Sequence, residues 1–178
     1  MTTTPPDVSL FEAHAELTTR SGLRLTLRPV DPADTDRVRE LYHGLSPEDL
    51  RFRFLSAKRH LASTDLSRLI EVDHRSHEHL LAFDPQGALV GSLMLAADPA
   101  MEQAEVAIAV AAPAKGRGIG WTLLRHAADL ARERGFRKLT AIESRDSHEA
   151  LEVERDLGFT AKAMPGDPTL VLVETGLH

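Results

Sequence analysis

The chain has no cysteine among its 178 residues. That excludes disulfides, thiolate nucleophiles and zinc-ribbon sites, and it suits a reducing cytosol. Positive charge is also in short supply, with 21 Lys and Arg against 27 Asp and Glu, for a formal charge of −6. Aromatics make up only 4% of residues. With no basic run and no aromatic-interleaved stripe, nucleic acid is not an expected partner. No stretch approaches the roughly 18 apolar residues of a membrane span, and the first residues lack a charged-then-apolar signal pattern. A cytoplasmic protein without a membrane partner is the expectation. The length suits one well-buried domain and is too short for two ordinary ones.

What is present divides into a short arm and one domain. Residues 1–20, opening Met-Thr-Thr-Thr-Pro-Pro, read as a flexible N-terminal arm, and residues 21–178 as a single domain without internal repeat or linker. Leu23, Leu25 and Leu27 alternate with polar residues and predict a half-buried strand stopped by Pro29. Asp31-Pro32 starts a helix with Val38 and Leu41 on one face and Gly44 near its end. Ser46-Pro47-Glu48-Asp49 starts another, and Ser63-Thr64-Asp65 begins a short helix reaching about Glu71. Residues 79–83 and 88–97 flank the turn Asp84-Pro85-Gln86-Gly87 as a hairpin. A strand over 104–111, a helix carrying Ile119, Leu123, Ala127 and Leu130, a strand over 139–142, a helix over 147–157 and a final hairpin complete the domain. Strands at both ends with helices between them predict a mixed α+β sheet.

The run Val110-Ala-Ala-Pro-Ala-Lys115-Gly116-Arg117-Gly118-Ile119-Gly120-Trp121 is the most informative segment. A strand enters a glycine-rich turn and an apolar-faced helix leaves it. The N–H groups of such a turn, with those of the first helical turn, converge and favour an anion. Glycines let the backbone approach a bulky diphosphate without an intervening Cβ. A dinucleotide fingerprint needs a third Gly where Trp121 stands, and a phosphate loop needs Gly-Lys-Ser/Thr, which is missing. A pyrophosphate cradle of another kind remains.

Lys115, Gly118 and Gly120 resemble the signature of the GNAT superfamily of acyl-CoA-dependent N-acetyltransferases, although Gln or Arg is usual where Lys115 stands. Leu157-Gly158-Phe159 looks like the end of the same domain. Leu45 to Phe54, followed by Leu69-Ile70-Glu71-Val72-Asp73, is similar to the acetyltransferase domain of bacterial protein-lysine acetyltransferases. The resemblance spans roughly Leu23 to Thr175. It implies a GNAT fold, a mixed and mostly antiparallel sheet whose central strands splay apart, flanked by helices. It implies acetyl-CoA as cosubstrate, with no metal, and an amine acceptor, a protein lysine being favoured over a small-molecule amine. The pantetheine arm would add to the strand at Ile108, Ala109 and Val110. The diphosphate would rest on Lys115, Gly116, Arg117, Gly118, Ile119 and Gly120. Ser147 stands where many members have Asn, and Glu154 where the usual general acid is Tyr.

The chemistry needs a base, because a lysine amine is mostly protonated at neutral pH. Glu105 is the candidate. It shares a strand face with Ala107 and Ala109, whose small side chains leave room for a substrate, and the protein-lysine branch carries a Glu base in a similar stretch. Its plain alternative is a solvated acid at a strand end. Without cysteine, transfer goes by direct attack in a ternary complex rather than through a Cys acyl-enzyme.

Other residues carry weaker signals. Glu154 is expected on the solvated helix face, and His126 and His148 at the surface. His74, His77 and His79, with Asp73 and Glu78, invite a metal, but their spacing favours a polar loop entering a strand. Arg51, Arg53, Lys58 and Arg59 form a basic cluster on an amphipathic segment. The rival from another class is an acyl-CoA-binding sensor or scaffold without turnover.

Overall fold

The structure is a computed structural model, and it describes residues 14–46 and 63–178. The predicted helix start after Ser46, the basic cluster and the first residues of the arm lie outside them. Eight strands form one sheet in the order β1-β2-β3-β4-β5-β6-β8-β7. They are β1 (Ala15–Thr18), β2 (Arg24–Pro29), β3 (His77–Phe83), β4 (Leu89–Ala97), β5 (Gln103–Val110), β6 (Lys138–Ser144), β7 (Thr160–Ala163) and β8 (Leu170–Gly176). The helices are α1 (Thr35–His43), α2 (Ser63–Ile70), α3 (Ile119–Glu133) and α4 (His148–Asp156). Residues 15–18, assigned to the arm by sequence, instead pair antiparallel with β2. Their short polar–apolar alternation was masked by the Thr- and Pro-rich start, yet β2 supplies an edge for it.

All neighbouring strands run antiparallel except β5 and β6. Parallel pairing needs a long crossover, and α3 provides it. Period-two alternation sends the residues of the sheet to two separate cores. On one face Leu93, Leu95, Val106 and Leu139 meet Ile119, Leu123, Ala127 and Leu130 of α3. On the other, Leu81, Phe83 and Ala109 meet Val38, Leu41 and Tyr42 of α1 and Leu69 of α2. Gly91 permits the close seat of α3: a Cβ there would lie 3.2 Å from Leu123 Cδ1 and 3.3 Å from Ile119 Cγ2. Among the described residues, no helix is long and apolar enough to cross a membrane.

Before α1, a capping box joins the Asp31 and Asp34 side chains to each other's backbone. Asp34 also takes a bidentate pair of bonds from Arg28, each 2.7 Å. Those bonds hold the buried Asp34 carboxyl below its ordinary pKa, against the opposing effect of burial. This ties the end of β2 to the start of α1.

Candidate functional site

β5 and β6 pair over only three rungs: Gln103 with Lys138, Ala104 with Leu139 and Glu105 with Thr140. β5 continues to Val110 and β6 to Ser144 without further pairing between them, so the ladder opens beyond Glu105. A cavity of about 670 Å³ occupies this opening, within the usual range for small-molecule sites. Val106, Ile108 and Val110 line it from β5, and Ala141 and Glu143 from β6. Ser147, Ala150, Val153 and Glu154 close it from α4 and its start. An extended amide-bearing chain can add to a strand edge of this kind.

The glycine-rich loop forms one end of the cavity. After a 3₁₀ turn at Ala112–Ala114, Gly116 and Gly118 take φ of 80° and 78°. Those left-handed values explain why glycine is needed at both. Gly118 is the N-cap of α3 and offers no side chain to its first turn. The helix bonds begin with Thr122 N–H donating to Gly118 O at 3.1 Å. The N–H groups of Ile119, Gly120 and Trp121 therefore have no carbonyl inside the helix. Lys115, Gly116, Gly118, Ile119 and Gly120 all border the cavity. A diphosphate fits this end by the donor set and by the open space over Gly116, where a Cβ would meet nothing within 4 Å.

The sequence-derived candidates are thus divided. Ile108, Val110, the loop residues just named and Ser147 come together around one cavity. Ala109 lies on the opposite sheet face, 1% exposed in the core beneath α1. Arg117 is exposed and does not border the cavity. Glu105 also belongs to the opposite face, on the last paired rung before the opening, with Ala96 across from it on β4. Burial alone pushes its carboxyl up from an ordinary 4.5 to about 7.

The Acetyltransferase (GNAT) family model matches residues 37–159. The chain belongs to the GNAT acetyltransferase family. It is 29% identical over 154 residues to the acetyltransferase PA5475 of Pseudomonas aeruginosa, covering 85% of this chain and 83% of that one. The crystal structure of the GNAT domain of S. lividans PAT superposes with a TM-score of 0.78 at 27% identity, covering 92% of this chain and 97% of that domain. The spermidine N-acetyltransferase of Vibrio cholerae, solved with CoA and spermine, shares the fold at a TM-score of 0.71 and 18% identity, covering 86% and 95%. The GNAT match begins after β1 and β2, which lie outside it.

Against this GNAT frame, two residues were misjudged or missed from sequence. Glu154, expected on a solvated face, is 4% exposed and borders the cavity. Its helix is weakly patterned, so periodicity gave no cue that the acid turns inward. Tyr42, distant in sequence, packs beneath the face that carries Glu105, with its hydroxyl 3.0 Å from Ser92 Oγ. Ser92 in turn pairs with Ala109 across the strands. The histidines diverge: His74 Nδ1 lies 2.9 Å from Glu78, His77 is near Asp73, and the buried His79 donates from Nδ1 to Leu69 O at 2.7 Å. His126 is half-buried rather than at the surface, whereas His148 is exposed.

Proposed function

We propose that this protein moves the acetyl group of acetyl-CoA to a primary amine by direct attack in a ternary complex, with a protein lysine as the favoured acceptor. The observation that carries the reading is the opening of the β5–β6 ladder immediately beyond Glu105, with the glycine loop at the far end of the same cavity. The thioester arm of the cosubstrate lies along Ile108 to Val110, its diphosphate at Lys115 to Gly120. The acetyl group reaches the opposite sheet face through the gap, where Glu105 waits.

The neutral amine attacks the thioester carbonyl, forming the C–N bond, and the C–S bond breaks to release CoA thiolate. The amine's proton passes to Glu105, directly or through one water, and the thiolate takes a proton from Glu154 or from solvent. A base of pKa near 7 suits this task, being deprotonated at working pH yet basic enough to accept. The developing oxyanion is met by strand N–H groups left without partners by the splay. Lysine as acceptor is supported by the similarity of Leu45 to Phe54, Leu69 to Asp73 and Ala104 to Ala107 to the protein-lysine branch.

A panel of lysine peptides, polyamines and small amines, read by CoA release, tests the proposal. Turnover highest with peptides is expected. Turnover confined to small amines would replace the acceptor, and tight acetyl-CoA binding with no thiol release from any amine would replace the enzyme with a sensor.

A further inference from the structure

The turn between β1 and β2, which precedes the residues matched by the family model, touches the glycine loop. Ser21 Oγ donates to the Arg117 carbonyl at 2.9 Å, 96 residues away in sequence. Because the only hydroxyl proton of Ser21 is used there, the 2.9 Å contact between Thr19 Oγ1 and Ser21 Oγ has Thr19 as donor. Thr19 Oγ1 in turn accepts from Leu23 N–H at 3.1 Å. The three bonds run in one direction, from Leu23 N–H through two hydroxyls to the Arg117 carbonyl. Each polarises the next.

That carbonyl belongs to the peptide unit that carries the Gly118 N–H. In a trans peptide the C=O and N–H point in opposite directions. Fixing the Arg117 carbonyl toward the turn therefore aims the Gly118 N–H away from it. Gly118 borders the cavity, and among the described residues its N–H donates to no acceptor. A second contact fastens the same turn to the helix: the Arg20 guanidinium lies 3.7 Å over the ring of Trp121. Trp121 is the third residue of α3 and borders the cavity.

We infer that the Thr19–Gly22 turn is a positioning element of the diphosphate seat, with Ser21 holding the Arg117–Gly118 peptide so that the Gly118 N–H faces the anion. This rests on reading Lys115 to Gly120 as that seat. The turn touches no substrate; it acts through the loop. It also gives the N-terminal hairpin, whose Leu25 and Leu27 lie in the same core as α3, a part in cosubstrate recognition.

Ser21 is exposed, so Ser21→Ala leaves the cores intact, and Ser21→Thr restores the hydroxyl. Binding of acetyl-CoA is measured by calorimetry. Acetyl-pantetheine, the same thioester arm without the diphosphate, is followed by the fluorescence of Trp121, the only tryptophan. Ser21→Ala is expected to raise the acetyl-CoA Kd about fivefold, as one lost hydrogen bond does, and to leave acetyl-pantetheine within twofold. Ser21→Thr is expected to bind both as wild type does. An unchanged acetyl-CoA Kd, an equal loss for both ligands, or no rescue by Thr overturns the inference. Gly120→Glu, which puts a negative side chain in the seat, runs alongside. If it weakens acetyl-CoA while Ser21→Ala does not, only the role of the turn fails; if it changes nothing, the diphosphate reading fails and the inference with it.

Discussion

Replacing Glu105 with Gln keeps the side-chain shape and removes the charge, so it separates two consequences of one perturbed carboxyl. The group ordinarily titrates near 4.5 and is held at about 7 by burial. At about 1.36 kcal/mol per unit, that rise is worth on the order of 3 kcal/mol. The sign follows from proton binding. Between pH 4.5 and 7 the folded protein holds a proton that the unfolded chain has released, so wild-type stability falls as pH rises through that window. Glu105→Gln lacks this loss. Urea unfolding of both proteins at pH 5 and pH 8 should therefore show the variant gaining on wild type by about 2–3 kcal/mol. Contributions from other groups cancel in the difference. Activity moves the other way. Wild-type turnover should rise about tenfold per unit below pH 7 and then less steeply, whereas Glu105→Gln should lose that limb and run about 100-fold slower. Acetyl-CoA affinity should stay near wild type in calorimetry. A stability difference that is flat from pH 5 to pH 8 would refute the burial argument. An unaltered pH–rate profile would refute the assignment of Glu105 as base.

Three further expectations rest on single contacts. Gly120 has ordinary helical φ and its Cβ position meets only Val110 Cγ2, at 3.8 Å; Gly120→Glu should thus fold normally and weaken acetyl-CoA at least 100-fold in calorimetry, about 2.7 kcal/mol, and is a cleaner probe than Gly118→Glu, which adds strain at φ 78°. Glu154→Ala should lower turnover more than tenfold, because the carboxyl borders the cavity instead of solvent; a change under threefold in the CoA-release assay would leave it a space-filling group. Asp34→Asn should cost about 2 kcal/mol in urea unfolding at pH 7, where charge-assisted bonds from Arg28 are lost. Because those bonds lower the folded-state pKa of Asp34, this penalty should shrink as pH falls below about 4.

The glycine run was legible because left-handed φ restricts residue choice locally: Gly116 and Gly118 are where that restriction falls. The hairpins and α3 followed from periodicity of the side chains they bury. Glu154 was not legible, since an acid inside a helix of mostly charged residues has the same pattern whether it faces water or a cavity. Which way it points is decided by where α4 lies against α3 and β7, a tertiary fact. β1 was hidden for a related reason, as four residues carry little pattern and gain their structure from β2. Ser21 was invisible in principle, because nothing near it in sequence refers to Arg117. The side on which Glu105 stands was readable from alternation with Ala107 and Ala109, but its place on the last rung before the opening required the register with Thr140.

The sheet is joined at its middle by the fewest rungs in its interior: three between β5 and β6, against seven on each flank. It is therefore two half-sheets, β1 to β5 and β6 to β8, meeting at a seam. Amide hydrogens along that seam should exchange sooner than those of β4, which pairs over seven rungs on each side. An amide-bearing chain laid into the gap would supply the missing rungs and bind only the folded state, so occupancy and cooperativity of unfolding rise together. Ligand-free, the molecule is expected to come apart first along this line, so the seat proposed for the cosubstrate would also be where the sheet yields first.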